Sequence, residues 1–189
     1  MSVLGPDFYR RNTATIAQDL LGKILLRRID DTLLGGVIVE TEAYFGGDDP
    51  ASRAYNGLKT YNRVMFEEPG HVFIYNVHKY WMLNLIAHDD GVGGILLRAI
   101  EPTIGAETMK RNRPVKRLRD LTSGPGKLSL ALGVDKTLNG VDATSTDSPV
   151  YVLDNKYQCE IGTSYRIGVT RDLPEHYRYY VKGNPYVSQ

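Results

Sequence analysis

The alternation of apolar and polar positions divides the chain into short strands and few helices. Residues 13–21 put Ile16, Leu20 and Leu21 on one helical stripe, with Asn12 or Thr13 as cap and Gly22 as stop signal. A helical turn over residues 6–11 precedes it. Residues 23–29 and 33–44 read as two strands joined at Asp30-Asp31, an antiparallel hairpin. Within the second strand Val37, Ile38 and Val39 are β-branched and apolar, which suits a strand covered on both faces. After the breaker at residues 46–50, residues 51–55 and 60–66 read as short helices. Residues 71–77 and 80–87 read as a second hairpin with His78-Lys79 at its apex. Residues 94–100 form a buried strand that Pro102 ends, and 104–111 are helical in pattern. A loop over 123–127 opens a helix with its apolar part at 128–132; 135–149 are polar and turn-rich. Late strands follow at 150–153, 165–170 and 179–182. Strands outnumber long helices, and no repeat or low-complexity linker intervenes. The expectation is an α+β fold: a single compact domain over 1–189, with a largely antiparallel sheet and surrounding helices.

Composition narrows the class. A length of 189 residues suffices for one core, and 42% hydrophobic with 24% charged residues is the balance of a globular protein. The longest apolar run, residues 93–97, is too short to cross a membrane, and no signal-peptide pattern opens the chain. The lone Cys159 rules out an internal disulfide and a cysteine-rich zinc site, so a cytoplasmic or nuclear setting is the default. The four histidines lack metal-ligand spacing. The net charge of +1 is silent about partners, but six of the ten residues 110–119 are Lys or Arg. That run reads either as a solvated helix face or as a phosphate-contacting surface. The opening at 123–127 offers backbone N–H groups to an anion, although its spacing is not that of a P-loop.

The candidate chemistry lies at the end of the second strand. Glu40 and Glu42 are two apart and share a strand face, and Tyr44 shares it with them. Buried together, like charges raise a pKa, which suits proton transfer beside an aromatic ring. From this stretch alone the plainer reading, hydrated acids on a strand running into solvent, stands ahead.

An ordered set of short motifs changes that balance. Val39-Glu40-Thr41-Glu42-Ala43-Tyr44, Asn62-Arg63-Val64-Met65-Phe66, Pro69-Gly70 and Leu96-Leu97-Arg98-Ala99-Ile100-Glu101-Pro102 come first. Ser123-Gly124-Pro125-Gly126-Lys127-Leu128, Arg166-Ile167-Gly168-Val169 and Tyr180-Val181-Lys182-Gly183-Asn184-Pro185-Tyr186-Val187-Ser188 follow. Together they resemble the alkyladenine DNA glycosylase family, the mammalian type of 3-methyladenine DNA glycosylase. The resemblance implies a protruding β-hairpin that intercalates into double-stranded DNA and flips a damaged purine into a pocket. It implies hydrolysis of the N-glycosidic bond of alkylated purines, hypoxanthine or ethenoadenine, leaving an abasic site. It implies no cofactor, no metal, no membrane and a monomer.

Residue by residue, the resemblance makes Glu42 the water-activating base. Arg98 and the main-chain carbonyl of Ile167 then help to hold the water. Tyr44 and Tyr75 become faces for the extruded base, and Asn84 the pocket floor that disfavours a guanine 2-amino group. At the hairpin apex His78 stands where the family has a Tyr, with Tyr80 as a possible substitute and Lys79 and Lys127 beside the DNA. Arg53 departs from the family, which has His there in an Ala-Ser-His-Ala run. A guanidinium stacks on a base but repels a cationic one, which points toward neutral lesions such as hypoxanthine. Pairing with Arg98 is expected to keep Glu42 ionised. The alternative function is a damage-binding protein that has lost catalysis. A general basic nucleic-acid binder leaves the ordered motifs unexplained.

Overall fold

The computed structural model describes residues 1–189. Two short helices open the chain, α1 (Pro6–Tyr9) and α2 (Thr13–Asp19). Asn12 caps α2: its Oδ1 accepts the Thr15 N–H at 3.1 Å. Strands β1 (Ile24–Ile29) and β2 (Thr32–Tyr44) form the first hairpin, and β3 (Val72–Val77) and β4 (Tyr80–Ile86) the second. Then come β5 (Gly94–Ile104), α3 (Ala106–Asn112), α4 (Pro125–Ala131), β6 (Val150–Leu153), β7 (Ile161–Ser164) and β8 (Arg178–Val181). All eight strands join one sheet in the order β3-β4-β5-β2-β1-β6, with β8 on β2 and β7 on β8. Every ladder is antiparallel, so the architecture is α+β.

Strand β2 is the axis of this sheet. One of its edges pairs with β5 along almost its whole length. The other pairs with β1 as far as Val37 and with β8 from Glu40 to Glu42. A long strand reaches these successive partners because bulges re-aim it. Val39 is skipped between the pairs Ile38–Ile100 and Glu40–Ala99, and Arg98 is skipped between Glu40–Ala99 and Thr41–Leu97. Gly36 makes the tight crossing with β5 possible: a Cβ there would lie 2.0 Å from the Glu101 carbonyl oxygen.

Three expectations from the sequence need correction. Residues 51–55 form turns: Asp49 accepts the N–H groups of Phe45 and Ala51, and Ser52 Oγ accepts that of Ala54, in place of helical bonds. Residues 60–66 do form the expected short helix, of the 3₁₀ kind. Pro102 does not end β5, which runs on to Ile104. There β4 no longer flanks it, since their ladder stops at Leu96, and a proline costs no ladder bond on a free edge. The strand expected at 165–170 is absent; Arg166 turns inward to ion pairs and Gly168 takes φ 78, while β7 lies just upstream.

The main core lies between one sheet face and the helices. Ile16 and Ala17 of α2 with its C-cap Leu20, and Leu128 and Ala131 of α4 with its C-cap Leu132, pack with Ile38, Val39, Leu97 and Ala99. Burial of such side chains is worth about 1.5–3 kcal/mol each. Alternation along β2 then assigns Val39, Thr41 and Ala43 to the core side, which leaves Glu40, Glu42 and Tyr44 on the opposite face.

Candidate active site

A cleft of about 770 Å³ opens over that opposite face. Its floor comes from adjacent strands: Tyr44 of β2, Leu96 and Arg98 of β5, Tyr80 and Met82 of β4, Tyr75 and Val77 of β3. Loops close it, carrying Arg53 on one side, Gly126 and Lys127 at the start of α4, and Ile167 to Arg171 on another. Of the residues singled out from sequence, Tyr44, Arg53, Tyr75, Tyr80, Arg98, Lys127 and Ile167 are brought to this one cleft. Asn84 lies in an adjoining recess that shares Tyr44, Arg53 and Tyr75. It is buried, and its amide nitrogen donates to the carbonyls of Phe73 and Met82 at 3.1 and 3.0 Å, which fixes its plane.

Glu42 is not itself part of the cleft surface. It is fully buried beneath three residues that are. The Tyr44 hydroxyl donates to its Oε2 at 2.7 Å, the Ile167 N–H donates to its Oε1 at 2.7 Å, and Arg98 Nη1 is 3.3 Å from Oε2. The Ile167 contact runs through the amide, a different atom from the carbonyl to which the resemblance gives the water.

Glu40, also fully buried, is far more tightly held. Its Oε1 accepts from Arg98 Nε, Arg178 Nε and Ser188 Oγ, and its Oε2 from the Ser188 N–H, all at 2.7 Å. The two carboxylates are consequently pushed apart in acidity. Burial works to raise both. For Glu40, Arg98, Arg178 and the Ser188 N–H overcome it and hold the group below the ordinary glutamate range. For Glu42, burial prevails over Arg98 and the Ile167 and Tyr44 bonds, and the pKa is raised. Arg98 favours the ionised form of Glu42, as the pairing predicts, but burial outweighs it, and the guanidinium makes its shorter contact with Glu40. Burial also opposes the charge on Arg98, but Glu42 and Glu40 offset it and hold the group protonated.

The aromatic walls have cationic neighbours. The Arg166 guanidinium carbon lies 4.5 Å from the centroid of Tyr44, and that of Arg53 lies 4.6 Å from that of Tyr75. Arg166 is fixed by a bidentate pair with Asp49 at 2.7 Å and by Asp172. Through these pairs it ties the loop of Ile167 to the turns that carry Arg53. Burial, and after it the Glu42 charge, keep the Tyr44 hydroxyl protonated as a donor.

The hairpin apex lies outside the cleft lining. His78 and Lys79 are exposed, and His78 holds φ 54, a left-handed value. Tyr80 is half-buried with its ring against Gly126, where a Cβ would come within 2.9 Å of it. None of the six basic residues between 110 and 119 lines the cleft. Lys110 pairs with Glu107, Arg117 with Asp120, and Arg113 donates to the Asp120 carbonyl. The opening of α4 is a single short helix of 7 residues begun by a proline, which brings Lys127 to the rim.

Sequence reasoning passed over Asp49, Arg166, Arg178 and Ser188 as site residues. The available signal was one arginine inside a short C-terminal motif, Arg166, and another two residues before the next, Arg178, in a chain that also places acids on a core strand.

A family model described as methylpurine-DNA glycosylase matches residues 7–185. A Mesorhizobium japonicum protein with the provisional name 3-methyladenine DNA glycosylase is 42% identical over 179 residues, covering 94% of this chain and 86% of its own. A Clostridium perfringens protein of the same provisional name is 42% identical over 206 aligned residues, covering 98% of each chain. One from Methanocella arvoryzae is 40% identical over 195, covering 100% of this chain and 97% of its own.

Proposed function

This chain belongs to the methylpurine-DNA glycosylase family, and from that premise we propose that it excises damaged purines from duplex DNA with water activated by Glu42. The observation that carries the reading is the Glu42 carboxylate itself, buried, raised in pKa and covered by cleft residues. A base within the duplex is out of reach, so the nucleotide is extruded. His78, free at the hairpin apex, fills the gap it leaves, and Lys79 and Lys127 take phosphates. The purine enters between Tyr44 and Tyr75, with Asn84 at the floor and Arg53 at the side.

Hydrolysis then balances simply. The bond between C1′ and N9 breaks, and its electron pair leaves with the purine. Water oxygen bonds to C1′, and its proton passes to Glu42. A carboxylate also stabilises the cationic sugar of the transition state. Arg98 carries positive charge beside Glu42 and orients it; Tyr44 and the Ile167 N–H fix its two oxygens. A neutral purine leaves as an anion and takes its proton from solvent. Without a nucleophilic lysine in this scheme, the DNA strand itself stays intact.

The test is incubation with duplexes holding hypoxanthine, ethenoadenine, 7-methylguanine or 3-methyladenine, followed by alkaline cleavage at abasic sites. Wild type is expected to release at least one of them. Glu42→Gln is expected to bind the same duplex and release none. Damage binding without release by wild type would establish the catalytically silent alternative.

A further inference from the structure

We propose that Arg53 is a specificity-determining residue that makes this chain a remover of neutral purine lesions in preference to cationic ones. The inference deepens the glycosylase reading and rests on it. Four cationic side chains line the cleft, Arg53, Arg98, Lys127 and Arg171, and no Asp or Glu lies among the lining residues. Arg98 is neutralised by Glu40 and Glu42 beneath it. Arg53 has no such partner: its side chain takes part in no ion pair, and its contact is the Tyr75 ring at 4.6 Å. No carboxylate therefore offsets its guanidinium beside the Tyr75 ring. The other wall differs: Arg166 stands 4.5 Å from the Tyr44 ring, but Asp49 and Asp172 offset its charge, which leaves Arg53 as the unbalanced cation at the aromatic walls. An aromatic face attracts a cation through its quadrupole. Here each ring already has a guanidinium against it, which reduces what it offers to a cationic base.

The chemistry of the lesions makes this a filter. Purines alkylated at N7 of guanine or N3 of adenine are cations within DNA. Hypoxanthine and ethenoadenine are neutral, and they depart as anions when the glycosidic bond breaks. A guanidinium in the base pocket opposes entry of the first group. It stabilises the charge that develops on the second, in the manner of preorganised electrostatic catalysis, with no proton transfer from Arg53. Arg53 thus acts on the class of lesion that most needs help in leaving.

Single-turnover release should be measured for hypoxanthine and 7-methylguanine duplexes with wild type, Arg53→Gln and Arg53→Lys. The wild-type ratio of hypoxanthine to 7-methylguanine rates is expected to fall by about tenfold in Arg53→Gln, as befits loss of one charge near the base. Arg53→Lys should stay within about threefold of wild type, because it keeps that charge. An unchanged ratio in Arg53→Gln, with both lesions still released, would overturn the inference and leave the glycosylase reading intact. A ratio that falls equally in Arg53→Lys would overturn it too, since shape and not charge would then decide. Failure of wild type to release any lesion would overturn the function reading and this inference together.

Discussion

The Tyr44 hydroxyl donates to the Glu42 carboxylate at 2.7 Å, although the two residues belong to one strand and stand only two apart. Strand alternation puts both on one face, and the ring of the pocket wall also tunes the buried acid. On the proposed mechanism Glu42 acts ionised, so its raised pKa sets the acid limb of the pH–rate profile above the ordinary glutamate value of about 4.3. Tyr44→Phe keeps the wall but removes one bond to the charged form. The limb is expected to move further upward, by about one pH unit for a hydrogen bond to a charged group. Single-turnover rates between pH 4 and 9, about the usual working range, would check it; a downward shift would refute the assignment of the limb to Glu42.

The two buried glutamates should differ in stability as they differ in acidity. Glu40 has a depressed folded pKa, so its contribution is present above the unfolded value and lost as pH falls through the folded one. Removing its charge strands Arg178 and leaves Arg98 only its longer contact with Glu42. Glu40→Gln is expected to destabilise the fold by about 3 kcal/mol at neutral pH. Glu42 has a raised folded pKa, so its charge opposes folding as pH climbs from the unfolded value through the folded one. Glu42→Gln is expected to leave neutral-pH stability unchanged or slightly higher. Urea denaturation of both variants decides the point, and equal losses would contradict it.

Charge near the cleft should matter more for DNA than charge elsewhere. Lys127 is exposed on the rim, whereas Lys116 and Arg119 lie away from the cleft. Lys127→Ala is expected to weaken duplex binding and to lower the salt slope by about one. The double variant Lys116→Ala, Arg119→Ala should stay within about twofold of wild type. Fluorescence anisotropy over a salt series separates these outcomes, and the reverse ranking would return the 110–119 run to the role of phosphate contact.

Gly36 fixes the course of β2 into the site. An added Cβ would meet a backbone oxygen at 2.0 Å, and a carbonyl in a ladder has nowhere to go. Gly36→Ala is expected to cost about 2 kcal/mol or more and to lower the melting temperature. A melting temperature equal to wild type would show that the crossing of β2 and β5 is not so close.

Both hairpins, the cap of α2 and the shared face of Glu40, Glu42 and Tyr44 were legible because they follow from local periodicity and turn residues. The turns at 51–55 were not, since Asp49, from outside the segment, takes the Ala51 N–H and Ser52 Oγ takes that of Ala54 in place of helical bonds. The opposite acidities of the two glutamates were equally hidden. Spacing says that they lie side by side, but Arg178 and Ser188 arrive from the far end of the chain. Pro102 misled for a related reason: a proline ends a strand only where a neighbour needs its N–H, and the neighbour had already left.

The replacement of β1 by β8 along one edge of β2 has a consequence for how the protein is born. Glu40 and Glu42 emerge from the ribosome long before Arg98, Arg166 and Arg178. In a nascent chain that stops short of β8 this edge is open, and its two acids carry their charge in water. Charge on an open edge discourages pairing with other chains. The same carboxylates thus guard the half-made strand and, once the last segment closes over them, become the buried pair of the finished cleft.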